Sequence, residues 1–388
     1  MIQIPASHRS ATVALGQDFI SDKQPLTTAA GFKAATPFAG QARQTFSLLL
    51  SESTVAAIRA QLQPIYDQLI TDCWPPSEPL PFDMIRFDAF LDPASDDLKI
   101  LEMNTRNVGL HEVVEWLDGQ VASALGVTTT GSLNRRFVAN QKRLHGSLLG
   151  SDEPLLYLSS PTIPLWTYFD ELTRAYPHVK HVTASTELTY SDDGVSVDGQ
   201  VYRAIIRKMA WPDSPALREF DENNQLRLLQ PRWMRPFGLK NYLQQLTGSA
   251  ILRTETYSDE HLAHYQHQKD QLVLKIINGG GSHAVYLGAL YDAEAWQQKL
   301  DAASAEPEKW IMQDYYQPPV WPVMAHGLGE RSVSTQLGIF ILPSPTDPHQ
   351  FDMDITVKGY AGSEDYFTFD PSDRKPDIWF GHVIKLTA

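Results

Sequence analysis

Four polar residues at alternating positions have the spacing of a metal or salt-bridge cluster. Arg86 and Asp88 flank one residue in MIRFDAF, and Glu102 and Asn104 flank one residue in KILEMN. The segment DPASD between these runs has the residues that turns favour, so a β-hairpin is predicted. Side chains alternate along a strand, which places each pair on one face. A five-residue loop over 93–97 pairs Asp92 with Leu98 and sets Asp88 opposite Glu102.

Two carboxylates that face each other across a hairpin repel and destabilise the sheet. A cation between them removes the repulsion, and oxygen atoms from Asp88, Glu102 and Asn104 form a hard ligand set suited to Mg²⁺. The cluster lacks His and Cys, which argues against zinc. The alternative is a solvated hairpin end neutralised by Arg86. The hairpin alone leaves both interpretations open.

A lysine and a glycine-rich loop follow in LVLKIINGGGSHAVYLG. Lys275 lies inside an apolar strand, where its ammonium needs an anion. Gly279, Gly280 and Gly281, followed by Ser282, allow the backbone to fold over phosphates and present its N–H groups. The order differs from a P-loop, and GxGxxG is absent. A simple hairpin turn is the alternative, but the buried lysine upstream favours phosphate contact.

Two further segments are candidates for nucleotide contacts. Lys240 begins a predicted helix after the Pro-Phe-Gly turn in WMRPFGLKNYLQQL, where it would reach a phosphate together with helix N-terminal amides. A solvated surface lysine is the alternative. Met312 and Gln313 end the hydrophobic strand of KWIMQDYY and would present backbone and amide groups to an adenine edge.

The composition limits the partners of this chain of 388 residues. Its formal net charge of −14 disfavours binding to nucleic acid or to anionic membranes. A single cysteine, Cys73, excludes an intramolecular disulfide. We find neither a signal peptide nor a run of about 18 apolar residues, so a cytoplasmic protein is expected. The oligomeric state is left open.

The elements that must position these residues occur in three groups. Residues 53–74 have helical periodicity after a Ser/Thr cap signal, and the hairpin follows the Pro-rich stretch 75–81. From 154, short strands alternate with helices, which is typical of a small α/β lobe with a partly parallel sheet. The last third is rich in strands.

In this order the residues resemble the circularly permuted ATP-grasp ligases, most of all the synthetase domain of glutathionylspermidine synthase. The matching motifs are the R-x-D strand, the E-x-N strand, a lysine after an aromatic/Pro segment, a lysine strand with a Gly-rich loop, and a Gln-containing strand. They extend over roughly residues 80–385. The resemblance implies an α/β chain of α+β lobes with a circularly permuted, ATP-grasp-like fold. The implied units are a partly helical N-terminal segment (1–80), a hairpin with helices in the ATP-grasp core (81–150), a small α/β pre-ATP-grasp lobe (151–230) and ATP-binding lobes (231–388).

The resemblance also implies roles for single residues. Asp88, Glu102 and Asn104 would coordinate Mg²⁺, and Arg86 would stabilise an acyl phosphate and the tetrahedral intermediate. The remaining residues match less closely. Lys240 and Lys275 would bind ATP phosphates beneath the glycine loop, and Met312 and Gln313 would contact the nucleotide. Arg331 in GLGERSVSTQLGIF would act at the reacting carboxylate. Arg207 in YRAIIRKM would contact the substrate.

The sequence departs from the family at two motifs. Its loop reads NGGGSHA where relatives have a GREG-like loop, so phosphate contacts can differ. After E-x-N it has TRNVGLHE where relatives carry Pro-Thr-Ser. Arg106 and Asn107 are therefore candidates for a different acyl-substrate pocket, and Thr105 is a further candidate substrate contact. Spermidine and glutathione are not implied as substrates.

The expected activity is ATP-dependent ligation of a small-molecule carboxylate to an amine, with amino acids or peptides as the favoured substrates. It would proceed through an acyl phosphate and release ADP and phosphate, with ATP and Mg²⁺ as cofactors. A small-molecule kinase using the same ATP site is one alternative. A non-catalytic nucleotide-binding protein is another, although the intact set of metal ligands and Lys275 weighs against it.

Overall fold

The computed structural model describes most of the chain. The described residues are 1–5, 42–73, 83–105, 111, 115, 118–119, 122, 131–150, 152–159, 167–183, 188–207, 215–223, 228–229, 236–278, 284–325, 329–344, 346–360 and 378–387.

Strands dominate the described residues. In chain order they are β1 (Ile2–Pro5), β2 (Ala42–Ser51), β3 (Ile85–Leu91), β4 (Leu98–Asn104), β5 (Leu155–Ser159), β6 (Val179–Thr183), β7 (Thr189–Ser191), β8 (Gly194–Val197), β9 (Gln200–Tyr202), β10 (Ala204–Arg207), β11 (Leu228–Leu229), β12 (Thr254–Thr256), β13 (Leu272–Ile276), β14 (Val285–Leu287), β15 (Trp310–Asp314), β16 (Val320–Ala325), β17 (Gly329–Pro343), β18 (Phe351–Tyr360) and β19 (Ile378–Thr387). The α-helices are α1 (Glu52–Cys73), α2 (Leu133–Leu149), α3 (Thr167–Ala175), α4 (Pro215–Asn223), α5 (Leu262–His267) and α6 (Ala293–Ser304).

The largest sheet in the described part of the chain has eight strands in the order β1-β19-β2-β16-β17-β3-β4, and β18 joins β17 to β19. Because β18 pairs with both of these strands, the strands β2, β16, β17, β18 and β19 close into a ring. Phe46 fills space inside this ring. A Cβ atom at Gly359 or Gly381 would lie within 3 Å of its ring atoms, so both positions require glycine.

Two strands of this sheet separate apolar from polar residues by alternation. In β3, Ile85, Phe87 and Ala89 belong to the main hydrophobic core, whereas Arg86 and Asp88 do not. The same holds for β18, whose odd-numbered residues from 353 to 357 enter the core. Successive side chains point to opposite faces, so the even-numbered residues share a second face. We call this second face of β4, β3, β17 and β18 the polar face; its members are Asn104, Glu102, Arg86, Asp88, Gly338, Gln336, Thr356 and Lys358.

Three smaller sheets accompany the large one in the described part of the chain: a parallel sheet, an antiparallel sheet and the three-stranded sheet β7-β8-β9. The parallel sheet β11-β10-β5-β6 lies in the predicted small α/β segment, together with α3 and the hairpin strands β7 to β9. The antiparallel sheet β12-β15-β13-β14, with α5 and α6, carries the predicted nucleotide strands. An isolated parallel bridge from Ile100 to Ile251 connects β4 to the segment before β12. This bridge brings the nucleotide strands to the edge of the hairpin.

The predicted helix over 53–74 is confirmed as α1. The Ser51 hydroxyl accepts a hydrogen bond from the backbone N–H of Thr54 at 3.0 Å, which caps the first turn. Among the described residues, none of the helices is long and apolar enough to cross a membrane.

Candidate active site

The hairpin of β3 and β4 has the predicted register at its functional end. Asp88 pairs with Glu102, and Arg86 pairs with Asn104. The Asn104 amide donates to Glu102 Oε1 at 3.5 Å. All four side chains therefore lie together on the polar face, as the alternation of MIRFDAF and KILEMN predicts.

A β-bulge separates this end of the hairpin from its turn. Leu91 pairs with Leu98, so the predicted pairing of Asp92 with Leu98 is wrong by one residue. The register then shifts where Leu101 is the extra residue in β4, which restores the predicted pairing of the carboxylates. The Leu101 carbonyl accepts a hydrogen bond from Gln313 Nε2 at 3.4 Å, so the bulge contacts β15.

Arg86 and Asp88 form a buried bidentate ion pair. Arg86 Nε donates to Asp88 Oδ1 at 2.7 Å, and Nη2 donates to Oδ2 at 3.0 Å. Burial raises the pKa of the carboxyl, but the Arg86 charge and its hydrogen bond outweigh burial and hold the pKa of Asp88 below its usual value. Burial likewise lowers the pKa of Arg86, and Asp88 more than restores it. Both side chains are therefore charged at neutral pH.

Lys275 lies on β13 with 8% of its surface exposed. Its ammonium donates to Gln313 Oε1 at 2.5 Å, and Gln313 in turn donates to Thr254 Oγ1 at 2.9 Å. Burial lowers the pKa of Lys275 to about 8, although the charges of Glu102 and Asp88 raise it. The partner that holds this buried cation is a neutral amide, so its charge is available to an anionic ligand.

Lys240 begins the predicted helix, which is a 3₁₀ helix (Lys240–Gln245). Its ammonium lies 3.8 Å from Glu102 Oε2, and the residue is 8% exposed. The alternative of a solvated surface lysine is therefore wrong. Lys240 and Lys275 approach Glu102 from the nucleotide sheet, and each affects the charge environment of the other.

Lys358 belongs to the same cluster, although the sequence did not point to it. It lies on β18, two residues beyond Thr356. Thr356 pairs with Gly338 on β17, and Gly338 pairs with Asp88 on β3. Burial lowers the pKa of Lys358, while the charge of Asp88 raises it. In FDMDITVKGY this lysine is one of several polar residues in an alternating strand, and only the strand pairing places it near Asp88.

The charges of this cluster do not balance. Among the described residues, two carboxylates, Asp88 and Glu102, face four cations: Arg86, Lys240, Lys275 and Lys358. Burying unpaired cations is costly unless an anion joins them. An anionic ligand would balance this excess, and the phosphates of a nucleotide are one such ligand. The electrostatics therefore favour an anionic ligand over the neutral, salt-bridged hairpin end.

Gly338 allows close packing at the centre of the polar face. A Cβ atom there would lie 2.7 Å from Thr356 Cγ2, 3.5 Å from Arg86 Cδ and 3.8 Å from Asp88 Oδ1. Any side chain at this position would therefore press on Thr356 and on the ion pair. Thr105 is also crowded, because a Cβ atom at Gly238 would lie 2.9 Å from its Oγ1 atom. That buried hydroxyl has no hydrogen-bond partner among the described residues.

The other predicted residues have different placements. Met312 is buried on β15 beside Gln313. Arg207 ends β10 in the small parallel sheet. Arg331 is exposed and lies seven residues before Gly338 on β17, which is about 20 Å along an extended strand; the structure does not bring it to the cluster. Gly279, Gly280, Gly281, Ser282, Arg106 and Asn107 lie outside the described residues.

The oxygen ligands of the hairpin suit a metal ion that takes its other ligands from water and substrate. Asp88, Glu102 and Asn104 offer two carboxylates and one amide, all hard oxygen ligands. In the described part of the chain, no group of three or more His, Cys, Asp or Glu side chains could hold a metal alone. Mg²⁺ tolerates such an incomplete shell because it retains waters and binds substrate phosphates.

Comparisons with known proteins identify the fold. The chain is similar to a glutathione synthetase-like effector from Globodera pallida in its apo form, with a TM-score of 0.56, 10% identity and 87% and 88% of the two chains covered. Two further structures are less similar. One is a Methylobacillus flagellatus KT protein assigned as a gamma-glutamylcysteine synthetase, with a TM-score of 0.43, 9% identity and 84% and 86% of the two chains covered. The other is the ATP-grasp ligase PsnB with a minimal precursor, with a TM-score of 0.30, 14% identity and 53% and 76% of the two chains covered. No family model and no curated protein sequence matches. The predicted α/β, ATP-grasp-like fold is confirmed, and the similar structure is that of a glutathione synthetase-like protein.

Proposed function

We propose that this protein is an ATP-dependent carboxylate–amine ligase that forms an amide bond through an acyl phosphate. The observation that carries the proposal is the meeting of two separate sheets at one cationic cluster. One sheet supplies Asp88 and Glu102 on a hairpin, and the other brings Lys275 to the same charges. Such a cluster can neutralise polyphosphate and orient it, and acyl-phosphate chemistry requires little more from the protein.

The lysines act on the phosphates of ATP. Lys240 and Lys275 approach Glu102 from the nucleotide sheet, so ATP would lie on that side of the hairpin. Gly279, Gly280, Gly281 and Ser282 directly follow the Lys275 strand in the sequence and would cover the phosphates with backbone N–H groups. Met312 and Gln313 on β15 would border the nucleotide.

The hairpin acts at the phosphoryl group that is transferred. Asp88, Glu102 and Asn104 would hold Mg²⁺, which offsets the charge that develops in phosphoryl transfer. The Arg86 fork is fixed by its two hydrogen bonds to Asp88. It can therefore stabilise the acyl phosphate without the entropy cost of ordering a flexible side chain.

The substrates are proposed by class. The fold similarity to a glutathione synthetase-like protein favours amino acids or peptides as carboxylate and amine. The buried Thr105 hydroxyl, which lacks a partner among the described residues, would contact the acyl substrate together with Arg106. Arg207 remains a proposed substrate contact from the small lobe.

The test is the release of ADP and phosphate from ATP with a panel of amino-acid and dipeptide pairs. We expect release that requires both a carboxylate and an amine, with a product of the summed mass less water. Glu102→Gln should lose at least about 100-fold in rate, because a metal ligand is removed. Glu330→Gln, an exposed glutamate on β17, is the matched control and should retain full activity.

Three results would contradict the proposal. Release of AMP would indicate adenylation rather than acyl-phosphate chemistry. ADP release with hydroxyl acceptors and no carboxylate would indicate a kinase. Unchanged turnover in Glu102→Gln would remove the hairpin from the mechanism.

A further inference from the structure

Two neighbouring polar side chains on the polar face, half-buried Lys358 and buried Gln336, lack hydrogen-bond partners among the described residues. Lys358 on β18 pairs across the strands with Gln336 on β17, so their side chains leave the sheet side by side. Gln336 is 9% exposed. Neither side chain makes a hydrogen bond or an ion pair with any residue that the structure describes. A half-buried ammonium beside a carboxamide is suited to an anionic ligand that carries hydrogen-bond acceptors.

The position of Lys358 relative to the nucleotide lysines defines a direction. Lys240 and Lys275 reach the cluster from beyond β4, the outer strand of the hairpin. Lys358 lies on the opposite side of Asp88, across β17 and β18. The hairpin carboxylates therefore stand between the two groups of cations.

Phosphoryl transfer has a directional requirement that this arrangement meets. The attacking oxygen and the leaving oxygen lie roughly in line on opposite sides of the transferred phosphorus. If ADP leaves toward Lys240 and Lys275, the attacking group must enter from the side of Lys358. Gly338, which pairs with Asp88 on one side and Thr356 on the other, lies on that path.

We propose that Lys358 and Gln336 bind the substrate carboxylate and hold one of its oxygens in line with the γ-phosphate of ATP. The inference rests on the proposed ligase function and names the residues that select its first substrate. A lysine ammonium and a carboxamide N–H together match the two oxygens of a carboxylate. They thereby favour a carboxylate over a neutral hydroxyl as the phosphate acceptor.

Each of the two steps forms one bond and breaks another. One carboxylate oxygen forms a bond to the γ-phosphorus as the bond from that phosphorus to the β–γ bridging oxygen breaks, which yields an acyl phosphate and ADP. The amine nitrogen then bonds to the acyl carbon, and the carbon–oxygen bond to phosphate breaks. An ammonium substrate loses two protons in total, one to the phosphate and one to solvent.

The test separates carboxylate binding from ATP binding. Hydroxylamine replaces the amine and traps acyl phosphates as hydroxamates, with the amino-acid and dipeptide panel as carboxylates. We expect Lys358→Met to raise the KM of the carboxylate by about 30-fold or more, because a charged hydrogen bond is lost. Its Kd for Mg²⁺ with a non-hydrolysable ATP analogue should stay within about threefold, whereas Lys275→Met should lose that binding.

Further variants keep the test decisive. Lys358→Arg retains the charge and should recover part of the carboxylate affinity. Gln336→Leu should raise the same KM without changing that of ATP. Lys385→Met removes a lysine of β19 that pairs with Glu52 at 2.9 Å, and should change neither constant.

The outcomes distinguish the two proposals. If the wild-type protein forms no hydroxamate with any carboxylate, the ligase function fails and this inference fails with it. If hydroxamate forms but Lys358→Met keeps the carboxylate KM, only the role of Lys358 is overturned. Weakened binding of the ATP analogue in Lys358→Met would instead place this lysine among the phosphate ligands.

Discussion

Replacing Lys275 with methionine should stabilise the protein while destroying its nucleotide site. Methionine has nearly the length of lysine and suits the apolar strand LVLKI. The pKa of Lys275 falls from 10.5 to about 8 in the folded chain, and burial is the largest cause. One pKa unit corresponds to about 1.4 kcal/mol, so the protonated lysine costs the apo protein about 3 kcal/mol at pH 7. Loss of its hydrogen bond to Gln313 offsets about 1 kcal/mol, which leaves a gain of about 2 kcal/mol.

The pH dependence of this gain tests its cause. Between pH 8 and 10.5 the unfolded chain binds a proton at Lys275 that the folded chain does not, so the free energy of unfolding of the wild-type protein rises with pH in that window. The cost of burying the lysine is fully present below pH 8 and has fallen to about 1 kcal/mol by pH 9.5. The advantage of Lys275→Met should therefore shrink to about zero at pH 9.5.

Urea denaturation of apo wild type and Lys275→Met at pH 7 and 9.5 measures both quantities. Lys309→Met is the matched control, because Lys309 is an exposed lysine in a surface ion pair with Glu306 and such pairs contribute little. A Lys275→Met variant that is less stable than wild type at pH 7 would refute the reasoning. An advantage that does not change with pH would refute it as well.

Two further predictions concern the same cluster. The affinity for Mg²⁺ and a non-hydrolysable ATP analogue should fall by about tenfold per pH unit above pH 8, because Lys275 loses its proton there. Measured by calorimetric titration, the affinity of Lys275→Arg should not change with pH in this range. A wild-type affinity that does not decline above pH 8 would contradict the prediction. Gly338→Ala should reduce turnover by at least about tenfold, since the new Cβ meets Thr356 Cγ2 at 2.7 Å and crowds Arg86. Gly119→Ala is its control in the ADP-release assay, because a Cβ atom added at Gly119 would have no atom within 4 Å. Equal rates for both variants would show that the close packing at Gly338 is dispensable.

The parts of the site that the sequence predicted are those fixed by local rules. Alternation and turn composition place Asp88 opposite Glu102, and the apolar run around Lys275 predicts a buried strand. The bulge at Leu101 was missed because its partner contact, Gln313, is more than 200 residues away. The predicted pairing at the carboxylates was nevertheless right, because this bulge compensates for an error of one residue at the turn.

The missed residues depend on pairing between distant strands. Lys358 and Gly338 reach the cluster only through the ladders of β17 with β3 and with β18. The strand β2 was missed for a related reason. Its residues lie in a segment of weak periodicity, and its place in the sheet comes from parallel pairing with β19, more than 300 residues later. Periodicity reports the faces of one strand and carries no information about its neighbours.

The ring of strands also determines when this chain can fold. β19 pairs with β1, β2 and β18, so the ring closes only after residues 378–387 have left the ribosome. Until then β2 and β18 each have an unpaired edge, and Phe46 lacks the backbone of Gly381 that packs against it. Contacts of such sequence separation form slowly, and open edges invite pairing with other chains. The large sheet is therefore completed only once β19 has emerged, and a nascent chain arrested before β19 has the exposed edges of an aggregation-prone intermediate.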